Sequence, residues 1–130
     1  MADRPSAPAS KKAFWAGWVL SILPALMLVL SAAMKFAQPP DVVEGFAKLG
    51  WPLKLATALG IVELACVVIY LIPQTAVLGA ILLTGYLGGA TAAHVRLEEQ
   101  FLMPILLGVM VWGGLCLREP RLRVLLPFRR

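Results

Sequence analysis

Charge is scarce in this sequence: 15% of its 130 residues are Asp, Glu, Lys or Arg, where a soluble domain carries about 25%. With 60% hydrophobic residues beside so few solvating ones, water is not the chain's main solvent, which excludes a soluble enzyme on a tethered anchor. Histidine occurs once, as His94. A single imidazole builds no metal cluster, and without a second axial candidate it is no haem signature. The two cysteines, Cys66 and Cys116, are too far apart in sequence for a redox pair and fall at different depths, so no disulfide is expected. Phosphate loops, dinucleotide fingerprints and nucleophile elbows are missing as well. No catalytic constellation is left, and no independent enzymatic activity is expected.

What the chain has instead is long apolar runs. Phe14 to Met34 holds no charged residue, enough helix at about 1.5 Å per residue to cross a hydrocarbon layer of roughly 30 Å. Pro24 sits mid-run and predicts a kink, with Ser21 as a hydroxyl that compensates the lost hydrogen bond. A cleaved signal peptide is the rival reading, since Lys11 and Lys12 precede the run and Ser31-Ala32-Ala33 resembles a cleavage site. The run, however, exceeds the usual apolar core of about 7–15 residues. Three further runs follow, so the expected spans are 14–36, 52–72, 76–94 and 101–117. Pro39, Pro40, Asp41, Glu44 and Lys48 make the first link polar, with a short surface helix over Val42 to Leu49. Pro-Gln-Thr at 73–75 is too short for anything but an antiparallel hairpin.

The fold class is therefore an all-α integral membrane four-helix bundle, up-down-up-down. Residues 1–13 form a disordered basic tail and 118–130 a second basic tail. The tails together carry eight cations, the opposite loops four alongside four acids. The excess of Lys and Arg places both termini in the cytoplasm and the protein in the plasma or inner membrane. Attraction to anionic lipid explains the net charge of +5 better than nucleic acid, because the cations flank spans and no stacking platform accompanies them.

An ionisable side chain inside a span costs about 2.5–3.5 kcal/mol on insertion scales, so such residues need an internal partner and are candidates for function. Glu63 lies near the middle of the second span and is the clearest case. Lys35 ends the first span and His94 the third, on the same side of the membrane. Thr84, Thr91 and His94 are spaced to share one helix face, and Ser31 lies one turn before Lys35. These six suggest a polar cleft. An ion pair between Glu63 and Lys35 requires the lysine to point inward, against its tendency to snorkel. Gly85, Gly89 and Ala93 form a small-residue face that lets helices approach closely, within the bundle or across a homodimer. Gly17, Ser21, Ala25, Ala56 and Gly60 offer similar surfaces, and Trp15, Trp18, Trp51 and Trp112 read as interfacial aromatics.

Taken in order, Ser31-Ala32-Ala33-Met34-Lys35-Phe36, Phe46 to Leu49 with Gly50-Trp51-Pro52, Leu59-Gly60-Ile61-Val62-Glu63-Leu64, Ile72-Pro73, Leu78-Gly79-Ala80 and Gly89-Ala90-Thr91-Ala92-Ala93-His94, with a closing tryptophan and arginine, the motifs resemble the DoxX-like family of small four-span membrane proteins, over residues 14 to 128. Ala32 departs from the pattern, which has glycine there. The family takes its name from a subunit associated with a terminal quinol oxidase; other relatives accompany membrane oxidoreductases, and distant ones look like assembly chaperones or cargo receptors. The family's lysine, glutamate and histidine fall on Lys35, Glu63 and His94. The resemblance implies an accessory protein that binds a small lipophilic molecule, such as a quinone, beside a membrane redox complex. The alternatives are an assembly factor that holds another membrane protein, and a small proton or solute transporter centred on Glu63. The last lacks the broken helices and inverted repeat of ordinary carriers.

Overall fold

The computed structural model of the protein describes residues 11–125, and every regular element among them is helical. Four long helices carry the apolar runs: α1 (Lys11–Ala37), α3 (Lys54–Leu71), α4 (Ala76–Arg96) and α5 (Leu102–Arg118); α2 (Pro40–Leu49) and α6 (Pro120–Leu125) are short. α1 packs on α3 and α5, and α4 closes the ring against the same two, an antiparallel four-helix bundle. Large side chains such as Trp15, Leu30, Ile61 and Val109 point outward all along it, as they do where lipid rather than water surrounds a bundle. α1, α3 and the segment with α4 are long and apolar enough to cross a membrane; α5, of 17 residues, is apolar but shorter.

The expected tail of residues 1–13 lies mostly outside the described residues, but Lys11, Lys12 and Ala13 already belong to α1. The second tail also begins as structure: Arg118 closes α5, and Pro120–Leu125 forms α6. α6 is anchored by Leu122, which is buried. Its ion pair counts for less: Arg121 Nε reaches Glu119 Oε1 at 3.2 Å and holds that carboxyl below its ordinary value, but exposed pairs are worth under about 1 kcal/mol. The predicted surface helix is α2, begun by Pro40 and ended by Gly50, whose φ of 76° is the left-handed cap that glycine takes without strain.

Backbone contact concentrates in the half of the bundle that holds the start of α1 and the end of α5. A Cβ on Gly17 would sit 2.8 Å from the Gly114 carbonyl, one on Gly114 2.8 Å from the Gly17 carbonyl, and one on Gly79 would overlap the Tyr70 backbone. These seams surround Tyr70, which is fully buried. Its hydroxyl donates to the Val111 carbonyl at 2.6 Å and lies 2.9 Å from Ser21 Oγ, which donates to the Gly17 carbonyl at 2.8 Å. Ser21 thus joins α1, α3 and α5 instead of serving the carbonyl that Pro24 leaves without its amide, and α1 runs through Pro24 as one helix.

Arg118 belongs to the same half and is 9% exposed. Its guanidinium stacks between Trp18 at 4.1 Å and Tyr70 at 5.0 Å and donates to the Tyr70 carbonyl at 3.3 Å, while its Nε has no partner. Cationic groups suit the carbonyl end of a helix, and Thr75 Oγ1 covers a second carbonyl there, that of Ile69, at 2.8 Å. Because planar stacking is the contact, Arg118→Lys should not substitute. A loss of about 2 kcal/mol is expected in thermal unfolding of the detergent-solubilised protein, and an unchanged transition would show the stack to be energetically idle. Trp112 also departs from expectation: its indole Nε1 donates to Thr84 Oγ1 at 2.7 Å, tying α5 to α4 near mid-helix rather than at an interface.

Candidate functional site

The other half of the bundle is looser. There α1, α3, α4 and α5 surround a cavity of about 560 Å³ that α2 covers with Phe46 and Leu49. Its wall runs from buried groups to the exposed Trp51 and Met103, so it communicates with the surroundings. A second cavity of about 360 Å³ lies beneath α2 and shares Ser31, Lys35, Phe46 and His94 with the first.

Glu63 comes from the middle of α3 and is 1% exposed. Its Oε1 accepts from Lys35 Nζ at 3.0 Å, and the same ammonium donates to Ser31 Oγ at 2.7 Å. Lys35 therefore points inward. Side chains on a helix lean toward its N-terminus, and α1 ends at the α2 side, so this lean carries Lys35 down toward Glu63 rather than out to the surface. Tyr86 of α4 faces the pair: the ammonium lies 5.9 Å from its ring centroid, and the phenol interacts with the Glu63 carboxylate. The result is one closed, internally neutral ion pair on the floor of an apolar cavity. Sequence reasoning missed Tyr86. Its signal was a tyrosine two helical turns before His94, on the same stripe as Gly89 and Ala93.

His94 lines the cavity from the end of α4, with Nδ1 2.7 Å from the Ala90 carbonyl. Since a carbonyl can only accept, Nδ1 carries the proton. Thr84 and Thr91 are not part of this arrangement. Their hydroxyls turn back to the carbonyls of Ala80 and Leu87, each at 2.8 Å, on a face of α4 roughly opposite Ala93; the spacing that links them to each other carries His94 part of the way round toward the cavity. Gly85 and Gly89 are a second correction. A Cβ on either would meet nothing within 4 Å, so within this chain they bring no helix close. With Ala93 they line the cavity, and their missing side chains are part of its volume. The close approaches are made by Gly17, Gly60, Gly79 and Gly114. Ala32, in place of the family's glycine, is 1% exposed in the α1–α3 seam, where its carbonyl would stand 3.3 Å from a Cβ on Gly60.

A ring of four apolar helices around a buried ion pair defines a small multi-pass membrane protein. The chain belongs to the DoxX-like family, whose model matches residues 19–114. No curated protein and no solved structure matches it.

Proposed function

We propose that the protein is a non-catalytic accessory subunit of a membrane redox system and holds a small lipophilic molecule, a quinone by preference, in the α2-covered cavity. The observation that carries this is the Lys35–Glu63 pair at the base of an otherwise apolar chamber. Ligand sites commonly span about 300–1,000 Å³, with apolar walls and a few placed polar groups, and a neutral ring with a lipid tail matches that chemistry. The Lys and Arg excess of the tails supports a plasma or inner membrane with cytoplasmic termini, which puts the cavity in the outer half. In a titration of the purified protein with short-chain ubiquinone and menaquinone analogues, saturable binding is expected, weakened about tenfold in Glu63→Gln by the loss of one charged interaction. Linear, non-saturating uptake by the wild type would remove the quinone reading.

A second reading is favoured by the open stripe of Gly85, Gly88 and Gly89, against which nothing packs. It suits an assembly factor that seats a partner's span there. A partner that copurifies in mild detergent and is lost with Gly89→Leu would select this reading over the first.

A further inference from the structure

The α2 helix is held to the bundle chiefly by one side chain. Phe46 is its single buried residue and packs edge-on against Trp51, with ring centroids 6.1 Å apart. Asp41, Glu44 and Lys48 are exposed, and among the described residues none of them forms a hydrogen bond or ion pair with α1, α3, α4 or α5. Yet Phe46 and Leu49 stand where the two cavities meet, since both side chains, like Ala93 of α4, line the larger cavity and the smaller one beneath α2. A lightly held helix thus covers a large space.

Both attachments of α2 are left-handed, and they are not equivalent. Gly50 takes its φ of 76° without strain. Gln38, at φ 52°, carries a Cβ that this region disfavours, and it precedes Pro39, whose ring pushes the residue before it toward extended values. Gln38 is therefore strained while α2 is docked. Relaxing it to the extended region redirects the chain from Pro39 onward and cannot leave α2 in place; burial of Phe46 opposes that turn. An undocked α2 also has a surface to receive it. Val42, Phe46 and Leu49 are spaced by four and three and share one face, with Asp41, Glu44 and Lys48 on the other, the pattern of a helix that lies in the membrane interface. Its apolar face exchanges cavity wall for lipid rather than for water.

We infer that α2 is a lid, turning about Gln38 and Gly50 between the docked position, where Phe46 closes the cavity, and a position in the lipid interface that opens the cavity to water on the α2 side. The lid serves any occupant, so it goes beyond the ligand reading above, and the quinone titration can fail without touching it. The test times the reaction of a small water-soluble maleimide with Ala93→Cys, in the full chain with both native cysteines changed to alanine, in lipid nanodiscs. Gln100→Cys, at an exposed position, gives the uncovered rate in the same background. Gln38→Gly removes strain from the docked position and should slow labelling at position 93 about fivefold; Gln38→Val, with a branched Cβ, should speed it about fivefold. Labelling at position 100 should not change. Gln38 lines neither cavity, so a fixed cover gives one rate for all three chains. Phe46→Ala should label at least about tenfold faster than the parent. Unfolding of Gln38→Gly no lower than the parent shows that the fold is kept, and this variant decides the matter by itself where Gln38→Val does not fold. Equal rates in the parent and Gln38→Gly, a faster rate in Gln38→Gly, or no labelling at position 93 even with Phe46→Ala overturns the inference.

Discussion

Replacing Lys35 with methionine is expected to destabilise the protein by about 3–5 kcal/mol, because it strands the Glu63 carboxylate without a cation or solvent. Glu63→Gln should cost less. Its partner is 18% exposed against 1% for the carboxylate, still holds Ser31, and can take up water where the carboxylate cannot. The double variant Lys35→Met/Glu63→Leu should recover most of the loss, since burying two charges carries a desolvation penalty that an apolar pair of similar volume avoids. Thermal unfolding in one detergent measures all three. A double variant no more stable than Lys35→Met would mean that the pair is held for stability. The expected recovery, joined to failed ligand binding, would mean that it is held for its chemistry.

The second large effect separates two kinds of glycine. Gly79→Ala places a methyl group into the Tyr70 backbone, and neither side can yield, because Tyr70 is tied to Val111 and overlain by Arg118. A loss beyond the usual 1–3 kcal/mol of overpacking, above about 3 kcal/mol, is expected. Gly89 faces the cavity with nothing within 4 Å of its Cβ. Gly89→Ala should therefore gain up to about 1 kcal/mol from helix propensity, and Gly89→Leu should leave the fold intact while filling the chamber and reducing ligand affinity at least about tenfold. Unfolding temperatures and a binding titration on the same preparations decide it. The idea fails if Gly79→Ala is neutral, or if Gly89→Leu binds as the wild type does.

Much of the architecture was legible because lipid imposes it. Backbone groups in hydrocarbon must be satisfied inside their own segment, so uncharged runs of this length become helices, and prolines and charges mark their ends to within a few residues. The Pro-Gln-Thr link set α3 and α4 side by side. The site was half legible. Glu63 stood out because a carboxylate in mid-span is expensive, and Lys35 and His94 followed from topology. The faces were not legible, since α3 and α4 are apolar nearly all round and offer no periodicity to orient them. Thr84 and Thr91 therefore entered the cleft on spacing alone, although a hydroxyl in a helix can satisfy itself on the carbonyl one turn back. Arg118 was read as the start of a tail because its two aromatic partners lie 48 and 100 positions away in sequence.

Composition and run length by themselves determined the class of protein, the number of long helices, their antiparallel order and the one carboxylate that needs an explanation, because each follows from local transfer energies. Tertiary structure decided what the polar residues do: that the lean of α1 carries Lys35 onto Glu63, that His94 turns Nδ1 back to the Ala90 carbonyl, and that Gly85 and Gly89 make space while Gly17, Gly79 and Gly114 remove it. The reason is geometric. In a chain whose surface and core are both apolar, hydrophobicity does not rotate a helix, and only the fit of neighbouring side chains sets which face meets the cavity.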